Sequence, residues 1–169
     1  ISSNAGLWAY DIGDTVKFVS TAPYRIVVSG RTKHFISAFG EHVIAEEVEF
    51  ALMSVAKEMG AEITEFTVAP QITPLENALP YHEWFVEFSK APTDLENFRM
   101  KVDSALQQKN IYYKDLIKGN ILQPLILRNL RANAFIDFMR QEGKLGGQNK
   151  VPRLANDRKI ADKLKKFIQ

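Results

Sequence analysis

Residues 45–68, AEEVEFALMSVAKEMGAEITEFTV, contain a helix pattern, a helix stop and a strand pattern in one stretch. Four apolar residues fall on one helical face before the stop: Val48, Leu52, Val55 and Met59. Gly60 follows as a typical helix end, and polar and apolar residues then alternate from Glu62 to Val68, as they do in a strand. The stretch therefore predicts a helix over 45–59 that leads directly into a β-strand.

The residues before this stretch have the pattern of strands and turns. Thr15–Val19 and Arg25–Val28 are short runs with high β-propensity, and Pro23 interrupts the pattern between them. Gly30 follows the second run, and His34–Ile36 is a candidate for a further short strand. The chain is therefore predicted to begin with a β-hairpin.

The residues after the stretch continue with alternating strands and helices. The patterns predict a strand over Tyr81–Phe88, a helix opened by a capping box at Thr93–Glu96, an edge strand over Leu122–Leu127, a helix capped by Asn133 and ended by Gly143, and a last helix capped by Asn156. This order predicts an α+β fold, with a small, mainly antiparallel sheet, helices packed on it and the hairpin in front.

The composition is that of an ordinary globular chain. It has 169 residues, 46% of them hydrophobic, and 22 basic side chains nearly balance 20 acidic ones. This balance gives no whole-chain attraction to nucleic acid or to a membrane, and no apolar run approaches the roughly 18 residues of a membrane-spanning helix. There are no cysteines, which fits a cytoplasmic protein, and the three histidines are not spaced as metal ligands, so no metal site is predicted. Because the chain starts without methionine and runs straight into patterned sequence, we interpret Ile1 as the cut edge of something longer.

Three places have residues suited to chemistry. Asp14 follows the turn residue Gly13, and a carboxylate there can accept hydrogen bonds from a vicinal diol or cap its own turn. The segment Ser29–Lys33 contains a glycine and two cationic side chains. It could bind an anion, serve as a hinge or form a solvated turn. Lys150 ends a glycine-rich loop; it can be carried into a site as a mobile point charge or remain a surface lysine.

The order of these places resembles a known enzyme family. Residues 5–14, AGLWAYDIGD, are similar to the segment "GLY-R-YR-GD" of the auxin-responsive acyl acid amido synthetases, which belong to the adenylate-forming superfamily. Residues 30–49 are similar to the superfamily hinge motif, and the part GRTKHFI is typical of bacterial members. Residues 148–153, QNKVPR, are similar to the family segment "NQYKTPR". Departures from the hinge pattern are a serine, a histidine and an alanine where lysine, arginine and proline are usual: Ser37, His42 and Ala45.

The resemblance implies roles for five residues. By this resemblance, Asp14 binds the ribose of ATP and Arg31 contacts the ribose or the phosphates. Val27 is predicted to be a further nucleotide-binding residue. Lys33 is the hinge residue about which the domain rotates, and Lys150 is the catalytic lysine of adenylation. Residues 1–32 would then be the end of the ATP-binding region with hairpin and hinge, and residues 33–169 the mobile C-terminal lid.

The resemblance also implies a reaction, its substrates and a partner. The full enzyme would use ATP, with Mg²⁺, to convert a carboxylic acid into an acyl adenylate, and an amino acid amine would then attack to give an amide and AMP. A large N-terminal domain, missing from this chain, would be the partner and would carry the acid pocket. Two other hypotheses stay open at this point: the lid of an acyl-CoA ligase with a thiol acceptor, and a stand-alone α+β module for ligand binding or regulation.

Overall fold

The chain forms two compact units, Ile1–His34 and Phe35–Gln169. The computed structural model describes residues 2–6, 8–10, 13–31, 35–74, 78–146 and 149–169. The predicted hinge residue Lys33 lies outside the described residues, and the predicted domain boundary after residue 32 stays a prediction.

The first unit contains the predicted hairpin. Strands β1 (Asp14–Thr21) and β2 (Tyr24–Arg31) are antiparallel, and Ala22 and Pro23 form the turn between them. The strand pattern predicted this hairpin correctly, and the paired strands extend a few residues beyond the predicted runs.

The second unit contains the remaining described elements. They are β3 (Phe35–Ile36), β4 (Val43–Ile44), α1 (Ala45–Met59), β5 (Glu62–Gln71), β6 (Tyr81–Lys90), α2 (Leu95–Lys109), α3 (Ile111–Lys118), β7 (Ile126–Leu130), α4 (Ala134–Gln141) and α5 (Lys159–Leu164), followed by a 3₁₀ turn, Lys165–Phe167. β3 pairs with β4, and the main sheet has the order β5-β6-β7. β5 and β6 are antiparallel, whereas β7 is parallel to β6, because α2 and α3 carry the chain back across the sheet. The predicted α+β fold with mainly antiparallel sheets is confirmed.

Helices cover both faces of the main sheet. α1, α2 and α3 share one core with Trp84 and Val86 of β6. α4 and α5 share a second core with Phe85, which points to the opposite face because side chains alternate along a strand. Both faces of β6 are therefore buried.

The helix α1 has the bounds that its sequence pattern predicted, Ala45–Met59. Gly60 ends it in the left-handed conformation, with φ of 65°, and its N–H donates to the carbonyl of Ala56. This conformation favours glycine, which explains the abrupt change from helix to strand.

Several predicted boundaries were wrong. The third strand of the main sheet spans Ile126–Leu130 and not 122–127, because the N–H of Leu125 is bound by the side chain of Asp103. The last helix starts at Lys159, and Asn156, its predicted cap, lies before it. The side chain of Asn156 instead bonds the backbone of Ser37 and Phe35.

The cap predictions also need correction, and one helix was not predicted. Asp94, within the predicted capping box, is the residue that caps α2, by accepting from the N–H of Asn97. Asn133 makes no side-chain cap bond to α4. α3 was not predicted; it starts at Ile111, directly after its cap Asn110, whose side chain accepts from the N–H of Tyr113. No helix in the described ranges is long and apolar enough to cross a membrane.

Candidate functional site

Lys150 lies at the edge of a cleft in the second unit. The cleft has a volume of about 260 Å³. Its described lining is mostly apolar side chains of α4 and the following loop, with two lysines and two carboxylates: Phe135, Ile136, Met139, Leu145, Lys144, Lys150, Glu65 and Glu87. Lys150 is exposed, so its ammonium group is accessible from solvent. The arrangement places a cation beside an apolar surface.

The chain is fixed immediately after Lys150. Val151 is buried, and the carbonyl of Pro152 accepts a hydrogen bond of 2.6 Å from the hydroxyl of Thr67 in β5. The carbonyl of Arg153 accepts from the N–H of Val68, at 2.9 Å. The backbone on the C-terminal side of Lys150 is therefore attached to the sheet, and the glycine-rich stretch of the sequence precedes Lys150.

Arg153 adds a link to α1. Its guanidinium forms an ion pair with Glu49 and lies 5.0 Å from the ring centroid of Phe66. The segment after Lys150 is thus held by a strand and a helix together. The sequence predicted a lysine on a flexible loop, and the structure shows that the residues directly after this lysine are attached to the core.

Glu87 supports the floor of the cleft. Its side chain is 4% exposed, and its two oxygens accept hydrogen bonds from the N–H groups of Asn133 (2.8 Å) and Phe135 (3.1 Å). A carboxylate suits this place because the start of a helix has free N–H groups and a partial positive charge. Glu87 therefore fixes the start of α4, which supplies one wall of the cleft.

Asp14 and Arg31 occupy paired backbone positions in the hairpin. They are register partners of β1 and β2, at the end of the hairpin away from the turn. Asp14 is partly buried, and Val27, opposite Lys17, is about half exposed, at 48%. Asp14 and Arg31 are thus neighbours across the two strands, Val27 lies further along the hairpin, and Lys150 belongs to the second unit.

A buried polar cluster follows the predicted hinge and was not predicted. Oε1 of Glu41 lies 2.8 Å from Nε2 of His82, and Oε2 accepts from the N–H of Phe39 at 2.8 Å. The side-chain amide of Asn110 donates to the carbonyl of Glu41 at 3.1 Å and to Glu47 at 2.9 Å. The sequence signal was a glutamate inside the hinge motif, but its histidine partner is 41 residues away. The cluster fixes the segment between the hinge and α1.

The departures from the hinge motif have local explanations. Ala45 is the first residue of α1, a position where proline is favoured but not needed. His42 has a positive φ of 46°, and its ring lies 5.4 Å from that of Phe35. The N–H of Ser37 is bound by Asn156. These residues shape the loop before α1 without the usual side chains.

A second cleft is larger, but none of the predicted site residues is among the described residues that line it. Its volume is about 680 Å³, and its lining includes Arg128, Arg158 and Glu83. Glu83 is buried and pairs with both arginines, at 2.7 Å with Arg128 and 2.6 Å with Arg158. The arginines therefore already have an anionic partner, and the cleft beside Lys150 is the better candidate.

The chain resembles known proteins both in a family sequence pattern and in its fold. The family description "GH3 family C-terminal domain" matches residues 46–159. No curated protein sequence matches the chain. The solved structure of GH3.15 acyl acid amido synthetase has a TM-score of 0.77 and 16% identity, over 99% of this chain and 33% of that chain. The structure of AtGH3.15 acyl acid amido synthetase in complex with 2,4-DB has a TM-score of 0.75 and 15% identity, over 99% of this chain and 32% of that chain.

The two solved structures share the fold of this chain, and this chain spans about a third of their length. The similarity to bacterial members in particular stays a prediction. The matched family region covers most of the second unit, including β5, α4 and Lys150. Because that region is more than half of the chain, the protein belongs to the GH3 family and contains its C-terminal domain, which confirms the resemblance to the auxin-responsive acyl acid amido synthetases.

Proposed function

We propose that this chain is the lid of an ATP-dependent synthetase that joins a carboxylic acid to the amine of an amino acid. The observation that carries the proposal is Lys150, which lies at an apolar cleft in a GH3 C-terminal domain and is attached to β5 through the next residues. A lysine held in this way can be brought to a reaction centre when the whole domain rotates. The predicted hinge at Lys33 would allow that rotation.

Lys150 is the proposed catalytic residue. In adenylation, a carboxylate oxygen attacks the α-phosphate of ATP and pyrophosphate leaves, so negative charge accumulates on the oxygens between them. The ammonium group of Lys150 would stabilise that charge in the transition state. The apolar wall of the cleft would help to exclude water, which otherwise hydrolyses the activated acid.

The hairpin is the proposed nucleotide-binding part of the chain. Asp14 would accept hydrogen bonds from the two ribose hydroxyls of ATP, and Arg31 is its partner in the register. A carboxylate and a cation at neighbouring positions fit a nucleotide, because the ribose offers donors and the phosphates are anionic. Val27 would pack against the same ligand. ATP and Mg²⁺ would bind as substrate and counter-ion.

The proposed partner of the hairpin is the N-terminal domain of the same enzyme. Large apolar side chains are exposed along both strands: Val16, Phe18, Val19, Tyr24, Ile26, Val27 and Val28. A two-stranded hairpin is only marginally stable alone, and an apolar surface of this kind marks a contact with another protein surface. The length of the matched synthetases is consistent with such a domain, since this chain covers 33% of one of them.

The test is Lys150→Ala in the full-length enzyme, measured by ATP–pyrophosphate exchange with a panel of carboxylic acids. The exchange rate is expected to fall about 100-fold, because a positioned transition-state charge is lost. Lys57→Ala is the matched control, since Lys57 is an exposed lysine at the end of α1. An unchanged exchange rate in the Lys150 variant would show that the proposed role is wrong.

The acceptor is tested separately by offering amino acids or coenzyme A and identifying the products by mass spectrometry. An amide and AMP are expected. A thioester would identify the enzyme as an acyl-CoA ligase, with the same role for Lys150. The 169-residue chain alone is expected to release no pyrophosphate from ATP, because the proposed N-terminal domain carries the acid pocket.

A further inference from the structure

We propose that Thr67 is a positioning residue for Lys150, an inference that rests on the catalytic role proposed for that lysine. Thr67 lies in β5, and its side chain is 1% exposed. Its hydroxyl donates to the carbonyl of Pro152 at 2.6 Å, across 85 residues of sequence. Pro152 is two residues after Lys150, so this bond fixes the backbone close to the reactive side chain.

The neighbouring residue on β5 holds the same segment by its backbone. The N–H of Val68 donates to the carbonyl of Arg153 at 2.9 Å, and the carbonyl of Val68 accepts from the N–H of Ala155 at 3.0 Å. The segment thus lies beside β5 as a short parallel bridge between Val68 and Leu154. The bond from Thr67 extends this attachment by one residue toward Lys150.

The attachment limits where Lys150 can reach. A lysine side chain has four rotatable bonds and large rotamer entropy, so its direction depends on the backbone from which it starts. Displacing a catalytic group by about 1 Å can reduce a rate about 100-fold. The Thr67 hydroxyl therefore affects the reaction by fixing the backbone position of Lys150. It is not proposed to contact the substrate.

Other contacts keep the segment folded when the hydroxyl is removed. Leu154 is 2% exposed, and Arg153 pairs with Glu49 of α1. Thr67→Val keeps the approximate size and branching of the side chain and replaces the hydroxyl by a methyl group, which cannot donate a hydrogen bond. Thr67→Ser keeps the hydroxyl and removes the methyl group. The two variants therefore separate the hydrogen bond from the packing.

The experiment measures adenylate formation in the full-length enzyme by pyrophosphate exchange. Thr67→Val is expected to lower kcat about 10- to 100-fold without changing KM for ATP, whereas Thr67→Ser stays close to wild type. Thr93→Val, at an exposed turn before α2, is the matched control and is expected to behave as wild type. Equal losses in the valine and serine variants would overturn the proposal, because the hydroxyl would then not be the determinant.

A double variant shows whether Thr67 acts through Lys150. In a Lys150→Ala background, Thr67→Val is expected to cause no further loss of rate, since the lysine that it positions is gone. A full additional loss would assign Thr67 a general structural role and overturn the proposal. Amide hydrogen exchange on the same proteins is expected to be faster at Val68 and Ala155 in Thr67→Val than in wild type, because these two N–H groups make the hydrogen bonds between β5 and the segment after Lys150. Unchanged exchange at both amides would also overturn the proposal.

The outcome for Lys150 alone distinguishes the two proposals. If Lys150→Ala leaves the exchange rate unchanged, the proposed function is wrong and Thr67 has no catalytic lysine to position. If Lys150→Ala is slow while Thr67→Val is as fast as wild type, the proposed function stands and the positioning role of Thr67 is wrong.

Discussion

Nε2 of His82 lies 2.8 Å from Oε1 of Glu41, and both side chains are fully buried. Glu41 belongs to the segment after the predicted hinge, and His82 belongs to the central strand of the main sheet. The pair therefore connects the start of the second unit to its most buried strand. Breaking one partner of such a pair leaves the other buried without full compensation.

We expect Glu41→Gln to lower the free energy of unfolding by about 2 kcal/mol at neutral pH, because one oxygen and one charge are lost from a buried cluster. Urea unfolding of the chain checks this. Glu58→Gln is the matched control, since Glu58 is an exposed glutamate that pairs only with Lys101 among its described contacts. Equal stability of the two variants would contradict the role of the buried pair.

The same carboxylate predicts acid sensitivity. Burial raises the pKa of Glu41. The hydrogen bond and charge of His82, together with the N–H of Phe39, lower the pKa by more than burial raises it, so the pKa lies below the ordinary value of 4.5. A carboxyl group with a lower pKa in the folded state stabilises the protein above about pH 4.5 and loses that contribution as the pH falls. Urea unfolding at several pH values is expected to show a shallower loss below that pH in Glu41→Gln than in wild type. If the free energy of unfolding of Glu41→Gln fell with pH as steeply as that of the wild type, other groups would be responsible for the acid sensitivity.

Glu87 is predicted to stabilise α4 and the cleft beside Lys150. In Glu87→Gln one carboxylate oxygen is replaced by an NH₂ group, which cannot accept from a backbone N–H, so a loss of about 1–3 kcal/mol is expected in urea unfolding. Asn133→Gly is the control, because Asn133 has a positive φ of 61° and its side chain makes no cap bond. If the glycine variant were the less stable of the two, the cap would have to be assigned to Asn133.

Tyr113 is predicted to make the protein sensitive to alkali. Its hydroxyl donates to Oδ1 of Asp103 at 2.7 Å, and burial first, then the nearby Asp103 carboxylate, raises its pKa well above the ordinary value of 10.0. An acid whose pKa is higher in the folded state keeps its proton there while the unfolded chain loses it. Folding stability therefore falls as the pH rises above about 10.

Tyr113→Phe tests this sensitivity. The variant is expected to be about 1–2 kcal/mol less stable at neutral pH, because Asp103 loses a buried donor, and to show a smaller decline above pH 10. Thermal unfolding across that pH range measures both effects. Tyr112→Phe is the matched control, since Tyr112 is an exposed neighbour on the same helix, and a change of the same size there would refute the assignment.

The sequence predicted elements whose signals are local. α1 was predicted to the residue because its apolar spacing and the Gly60 stop lie in the element itself. α3 was missed because Asn110 ends α2 and caps the next helix without any residue between them. The cap of α4 was misassigned because the residue that makes it, Glu87, lies 46 residues earlier in the chain.

Only part of the candidate site could be predicted, because only part of it has a local sequence signal. The motif around Lys150 identified the lysine, but its cleft is formed by residues of β5, β6 and α4 that no local pattern connects. The contact of Thr67 with Pro152 spans 85 residues. Such contacts depend on how the elements pack, and a single sequence contains no spacing rule for them.

The main sheet has a further property that follows from its two outer strands. β5 is covered at Val68 by residues 153–155, and β7 is covered by the last residues of the chain, where Ile168 bridges to Leu130 and the N–H of Gln169 donates to Asn129 at 3.0 Å. Open strand edges invite pairing between molecules, which is a common start of aggregation. The segment after Lys150 and residues 168–169 thus also cover the two outer edges of the sheet. Removal of residues 168–169 is therefore expected to lower the solubility of the protein before it unfolds the domain.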